Sequence, residues 1–166
     1  MTGFRVAILT VSDRAARGER ADRSGPALAA WLAEHSASVD SARTVADEQN
    51  EIAAQLIEWA DSGAHDLILT TGGTGVSPRD RTPEATLSVL DFAIPGFAEA
   101  MRAESLKKTP YAALSRAVAG VRKQALIINL PGSPDGAIEN LAAIWPAVTH
   151  AVSKIQGDMS DCAKAV

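Results

Sequence analysis

The sequence predicts an α/β protein: a mostly parallel sheet flanked by helices, with one antiparallel hairpin. Two runs, RVAILTV (Arg5–Val11) and DLILTT (Asp66–Thr71), are almost continuously apolar and rich in β-branched residues, the pattern of strands buried on both faces. Stretches of helical periodicity lie between the strand-like runs and supply the crossovers that parallel strands need. Finally, AVAGVR (Ala117–Arg122) and ALIINL (Ala125–Leu130) are separated only by Lys123-Gln124, a connection short enough for a hairpin.

Arg5–Val11 is the first strand. A polar, glycine-containing loop leads to a helix from about Ser24, whose Leu28, Trp31, Leu32 and His35 recur at i, i+3, i+4 and i+7 on one face. Ser38–Val45 is more polar and suits an edge strand. Asp47 opens a second helix, with Ile52, Leu56 and Trp59 on one face, ending near Gly63. The Asp66–Thr71 strand runs straight into a glycine cluster. Beyond it Thr82 suits a helix N-cap, Pro83 the first helical position, and Glu84 the first turn, where negative charge complements the helix dipole. A further helix follows Pro95 and carries Phe97, Met101 and Glu104. PGSP (Pro131–Pro134) stops the second hairpin strand. Asp135–Gln156 is helical, with a break expected at Trp145-Pro146 because proline lacks the N–H a helix interior uses. The order is β-α-β-α-β-loop-α-α-ββ-α.

A chain of 166 residues fits one domain, here 1–158, followed by a short tail, 159–166. Its 46% hydrophobic and 22% charged residues are those of an ordinary globular protein. A net charge of −4 provides no general attraction to nucleic acid or to anionic membrane. The single cysteine, Cys162, rules out an intrachain disulfide, and His35, His65 and His150 are scattered without zinc-site spacing. The N-terminal apolar run is too short for a signal-peptide core or a membrane helix, so a cytoplasmic protein is expected.

Open sheets bind ligands in the crevice beyond the carboxyl ends of their strands. Three polar loops leave such ends: Ser12-Asp13, Gly72–Arg81 and Pro131–Pro134. The second belongs to TTGGTGVSPRDRTPEA (Thr70–Ala85). No lysine follows its glycines, so it is not a Walker A loop, and Pro78 occupies the third glycine position of a dinucleotide fingerprint. What remains is a run of bare backbone, Thr71, Gly72, Gly73, Thr74 and Gly75, with hydroxyls from Thr74 and Ser77 and the helix N-terminus at Thr82. Such a run makes an anion-binding concavity. The alternative is a plain strand-to-helix turn that uses glycine for positive φ. Asp80 lies between Arg79 and Arg81; a carboxylate among anion-binding groups implies a cation, and Mg²⁺ on a polyphosphate is the natural one. Asp47, at another strand-to-helix junction, is either a second such ligand or an N-cap.

The segments ILTVSDRA, DRSGPAL, VADEQNEI, LILTTGGTGVSPRDRTPEAT, PGFAEAMR and LSRAVAGVRKQALIINLPGSP together resemble the molybdopterin adenylyltransferase family, the superfamily of MogA, MoaB and the gephyrin G domain. The likeness spans almost the whole chain. It implies a three-layer molybdopterin-binding fold, a homotrimer, and a reaction in which MgATP adenylylates molybdopterin to give molybdopterin-AMP and pyrophosphate. By motif match Asp47 and Asp80 fall on the family's functional aspartates, with Mg²⁺ between them and ATP, and Ser115 falls on a pterin position. The expected substrate-binding set is Ser12, Asp13, Thr71, Gly72, Gly73, Thr74, Gly75, Ser77, Thr82, Ser115, Arg116, Asn129, Pro131, Gly132 and Ser133. Arg79, Arg81, Arg116 and Lys123 offset phosphate charge in this reading, although Arg122 and Lys123 also read as plain hairpin-turn charges. No fused insertase domain is expected, which leaves molybdate insertion to a separate protein. Two alternatives stand beside this: a silent molybdopterin carrier, and a nucleotide pyrophosphatase like the competence-associated relatives. The intact SPRDRTPE and RKQALIINLPG runs favour the adenylylating branch.

Overall fold

The computed structural model describes residues 3–159; Cys162 and most of the expected tail lie outside them. The elements in chain order are β1 (Phe4–Val11), α1 (Asp13–Ala16), α2 (Ser24–Glu34), β2 (Ala37–Val45), α3 (Gln49–Asp61), β3 (Leu67–Thr71), α4 (Thr82–Val89), β4 (Phe92–Ala93), α5 (Pro95–Leu106), a 3₁₀ turn (Pro110–Leu114), β5 (Ala119–Arg122), β6 (Ala125–Leu130) and α6 (Pro134–Ile155). The six strands form one sheet in the order β2-β1-β3-β6-β5-β4. β1, β2, β3 and β6 are mutually parallel, whereas β5 runs antiparallel to both β6 and β4.

Strand parity divides the core in two. Val6 and Ile8 of β1, Leu67 and Leu69 of β3, and Leu126, Ile128 and Leu130 of β6 pack with Leu28 and Leu32 of α2, Met101 of α5 and Leu141, Ile144, Val148 and Val152 of α6. The alternate residues Ala7, Leu9, Ile68 and Ile127 pack with Ile52, Leu56 and Trp59 of α3 and Val89 of α4. The result is the expected three-layer arrangement, its central strands apolar on both faces because helices cover both.

DRSGPAL receives a structural explanation. Asp22 accepts from Gly25 N (3.0 Å) and Ser24 Oγ (3.3 Å), completing the first turn of α2, and from Thr10 Oγ1 (2.7 Å) at the end of β1. One carboxylate thus caps a helix and ties it to the strand beneath.

Three features depart from the sequence reading. α1 and the two-residue β4 are too short to leave a periodic signal. α6 passes through Pro146 without the expected break. Packing of Leu141, Ile144, Val148 and Val152 holds the helix on both sides of the proline, and the carbonyl that loses its donor belongs to exposed Ala142, a position open to solvent where the lost bond costs little. The hairpin turn, with Lys123 left-handed at φ 54°, precedes β6 and so lies at the edge where β6 begins, opposite the carboxyl ends. Lys123 N donates to Asp91 (2.7 Å) and Arg122 pairs with Asp61 (2.8 Å). Both residues are turn and edge ties remote from the crevice.

Candidate functional site

The parallel register aligns Thr10 with Thr71 and Thr71 with Leu130, and Val11 with Val45, so the loops after β1, β2, β3 and β6 leave side by side. The chain reverses direction along the sheet between β1 and β3, which makes this the switch point where α/β sheets bind ligands.

The glycine loop is tightly fixed there. Gly72 N donates to Leu130 O (3.2 Å). At φ +102° a Cβ on Gly72 would lie 2.3 Å from Val11 O; at φ +66° one on Gly73 would lie 2.4 Å from Thr82 Oγ1. Only glycine fits either position. Thr71 Oγ1 donates to Pro131 O (2.7 Å), locking the β3 loop to the β6 loop. Arg116 clamps the far side, donating to Gly75 O (2.7 Å) and Asp80 O (2.9 Å), pairing with Glu84, and giving its backbone N–H to Thr74 O (2.9 Å). Thr82 is not the N-cap that the sequence suggested. It lies inside α4, where its hydroxyl donates to Gly72 O (2.9 Å) and its N–H to Gly73 O (3.1 Å).

The acids gather around this loop. Asp47 does not cap α3, which starts at Gln49 with Glu48 in the cap position. Instead Asp13 N donates to Asp47 Oδ2 (2.8 Å) and Asp47 N to Asp13 Oδ1 (3.0 Å), a reciprocal pair joining the β1 and β2 loops. Arg79 donates through Nε and Nη2 to both oxygens of Asp13 (3.0 and 2.9 Å) and reaches Glu48 (2.8 Å). Asp80 Oδ2 accepts from Ser77 N (2.8 Å). A Cβ on Gly75 would lie 2.9 Å from Asp80 Oδ2, and one on Gly73 3.1 Å from Asp47 Oδ1, so the two aspartates flank the loop. Burial pushes the Asp47 carboxyl above the usual carboxylate range, and repulsion from Asp13 and Asp80 adds to it against the Asp13 N–H. The Arg79 guanidinium, helped by Asp47 N–H, holds Asp13 below that range. Among the described residues neither Asp47 nor Asp80 forms an ion pair with a basic side chain.

A cavity of about 410 Å³ adjoins the loop, lined among others by Thr74, Gly75, Tyr111, Ser115, Pro131 and Ser133. Arg102 beneath it donates to Ser115 O (3.3 Å) and Ala117 O (3.1 Å). Tyr111 and Arg102 escape the sequence reading; Thr109-Pro110 at the start of a 3₁₀ turn is the only local signal for the first. A larger cavity, about 1380 Å³, opens at the opposite edge near Arg5, His35, His65 and His150, far from the glycine loop and its acids.

Other expected site residues take structural positions. Asn129 has no exposed surface: parity turns it toward α4, where Nδ2 donates to Thr70 Oγ1 and Thr86 Oγ1 (both 2.9 Å) and Oδ1 accepts from Val118 N (3.2 Å). It supports the loop from below and does not line the crevice. Thr71 and Thr82 are likewise fully buried. Ser12 caps α1 through Ala15 N (3.2 Å), and Ser133 caps α6 through Gly136 N (3.3 Å).

Residues 7–150 match the family described as a probable molybdopterin binding domain. The chain belongs to that family. It is 44% identical over 160 residues to the molybdopterin adenylyltransferase of Helicobacter pylori (strain J99), covering 95% of this chain and 91% of that protein. Identity to the molybdopterin adenylyltransferase of Escherichia coli (strain K12) is also 44%, over 154 residues, covering 92% and 79%. Among solved structures, the molybdopterin biosynthesis enzyme MoaB from Thermus thermophilus superposes with a TM-score of 0.88 at 54% identity, covering 93% of this chain and 98% of that one. The glycine loop, both flanking aspartates and Ser115 all fall inside the matched molybdopterin-binding region. No helix among the described residues is long and apolar enough to cross a membrane.

Proposed function

We propose that this protein is an ATP-dependent molybdopterin adenylyltransferase, acting in the cytoplasm as a homotrimer and passing molybdopterin-AMP to a separate molybdenum-insertase chain. The observation that carries the reading is the convergence, at the switch point of a molybdopterin-binding domain, of a fixed glycine loop with two carboxylates that form no ion pair with a basic side chain among the described residues.

In the reaction a phosphate oxygen of molybdopterin attacks the α-phosphorus of ATP, the α–β bridging bond breaks, and pyrophosphate leaves. The nucleophile is already anionic near neutral pH, so the site needs no strong base; positioning and charge neutralisation carry the rate. The chain supplies positioning through the glycine-loop backbone and the N-terminus of α4. Arg79 and Arg81 lie beside the same loop. Ser115, Tyr111 and Ser133 line the adjoining cavity, whose volume of about 410 Å³ falls in the ordinary range for a small-molecule subsite; we assign it to the pterin.

The residues also fit Mg²⁺. Asp47 is held high by burial and by neighbouring carboxylates, an environment that a cation relieves. Among the described residues no group of three or more His, Cys, Asp or Glu is placed to hold a metal unaided, which suits an ion that shares one or two carboxylates with substrate phosphates. Asp47 and Asp80 would hold it, and when bound it neutralises charge developing on the leaving pyrophosphate.

The test is incubation of purified protein with molybdopterin and ATP, with and without Mg²⁺, scoring molybdopterin-AMP and pyrophosphate. Mg²⁺-dependent formation of both is expected. Pterin binding without adenylate indicates the carrier, and hydrolysis of ATP or a dinucleotide without transfer indicates the pyrophosphatase.

A further inference from the structure

The least accounted-for group at the site is Asp13, which the sequence places among substrate ligands and which the structure ties to Asp47 and Arg79. Both of its carboxylate oxygens and its backbone N–H are engaged within the protein. Oδ1 accepts from Asp47 N (3.0 Å) and Arg79 Nη2 (2.9 Å), Oδ2 accepts from Arg79 Nε (3.0 Å), and Asp13 N donates to Asp47 Oδ2 (2.8 Å).

We infer that Asp13 is the positioning residue for both functional aspartates, joining Asp47 by reciprocal hydrogen bonds and Asp80 through the forked ion pair with its neighbour Arg79. The inference rests on the adenylyltransferase reading for the role of Asp47 and Asp80. Three loops that leave three different strands meet on this one carboxylate. The β1 loop supplies Asp13, the β2 loop Asp47 and Glu48, and the β3 loop Arg79. The pair with Arg79 is bidentate, so it fixes the direction of the guanidinium as well as its distance, which a lysine ammonium does not do. Arg79 directly precedes Asp80 in the chain, so the direction imposed on one limits the other.

The test uses the full chain and the variants Asp13→Ala, Arg79→Lys, Asp47→Asn and Asp13→Ala/Asp47→Asn, each read by melting temperature, by kcat and KM for ATP, and by MgATP affinity from calorimetry. Asp13→Ala removes both the acceptor of Asp47 N and the partner of the Arg79 fork and lowers kcat about tenfold or more with a smaller change in KM. In the Asp47→Asn background the same substitution costs less, because the share routed through Asp47 is non-additive and only the share routed through Arg79 and Asp80 remains. Arg79→Lys reproduces part of the Asp13→Ala loss, since one contact replaces a fork. The proposal is overturned if Asp13→Ala raises KM by the same factor in the wild-type and Asp47→Asn backgrounds, which is the behaviour of a direct ligand. It is equally overturned if Asp13→Ala and Arg79→Lys both leave kcat unchanged. Should wild type show no adenylyl transfer, the functional reading fails by itself, and the same additivity measured on MgATP affinity still decides the role of Asp13.

Discussion

Replacing Thr82 by valine isolates one buried hydrogen bond with almost no change of shape. Thr82 has no exposed surface and its Oγ1 donates to Gly72 O at 2.9 Å. Valine fills the same volume but leaves that carbonyl without its donor, in a spot closed to water by Thr82 and the end of β1. An orphaned buried acceptor costs about 1–3 kcal/mol, and in a domain of this size each kcal/mol lowers Tm by about 2–4 °C. A central loss of about 2 kcal/mol therefore corresponds to a fall of about 4–8 °C. Thr82→Ser is the crossed control: it keeps the donor and removes a buried methyl, which costs about 1 kcal/mol. Because the bond fixes the Gly72–Gly73 turn against which Asp47 sits, valine should also lower kcat/KM about tenfold, while serine stays close to wild type. Thermal melts followed by circular dichroism, together with the adenylylation assay, give both numbers. If valine is as stable and active as wild type and serine is the weaker protein, volume matters at this position and the hydrogen bond does not.

Asp47→Asn should abolish most turnover without lowering Tm, because asparagine still accepts from Asp13 N and loses an unfavourable charge. The sign follows from a folded pKa raised above the unfolded one: ionised Asp47 weakens the fold, the penalty growing as pH rises through the carboxylate range. The stability gain of the variant should thus be absent at low pH and full near neutrality; a gain that is largest in acid contradicts the assignment. Gly72→Ala combines φ +102° with a Cβ 2.3 Å from the Val11 carbonyl and should destabilise more than Thr82→Val, as a urea titration would show. Arg116→Lys breaks the fork onto Gly75 O, Asp80 O and Glu84 and should reduce kcat/KM more than it changes Tm. An unaltered kcat/KM would show that the loop keeps its shape without the clamp.

Much of this is legible in the sequence where the cause is local. β1, β3 and β6 declare themselves because burial on both faces leaves no polar alternation, and Gly72 and Gly73 because left-handed backbone at a close approach admits no side chain. The gathering of Asp47 and Asp80 is legible one step further out, through the rule that parallel strands present their carboxyl ends together. Their fastening is not: the Asp13–Asp47 and Asp13–Arg79 bonds join residues 34 and 66 apart, and no periodicity encodes such pairs. Asn129 misleads for a related reason. In a strand apolar on both faces a lone amide looks like a site residue, and only the position of Thr86 on α4 shows that it is satisfied internally. Pro146 shows packing overriding a local rule, since four core side chains hold α6 on either side of it. The remoteness of Lys123, by contrast, is available from topology, because a turn that precedes a strand lies at that strand's amino end.

For an acidic chain, at −4, the proposed phosphate site with Asp13, Asp47, Glu48 and Asp80 around it is electrostatically odd unless a cation accompanies the phosphates. The N-termini of α3, α4 and α6 start at the same edge as the site and supply partial positive charge, yet Arg79 is already committed to Asp13 and Glu48 and Arg116 to Glu84. Bare ATP would therefore meet uncompensated carboxylates. Unit charges about 6 Å apart at an effective dielectric of about 20 repel by about 3 kcal/mol; screening in an open crevice reduces this to an affinity loss of about tenfold. Titration of a fluorescent ATP analogue should then show binding about tenfold weaker in EDTA than in Mg²⁺. Asp80→Asn should reverse the pattern, binding the metal-free nucleotide better than wild type while losing most of the benefit of Mg²⁺ and most of the turnover. The crossing separates a metal ligand from a hydrogen-bonding carboxylate. If Asp80 served only to hold Ser77 N, asparagine would keep that bond, and both affinities would stay at their wild-type values.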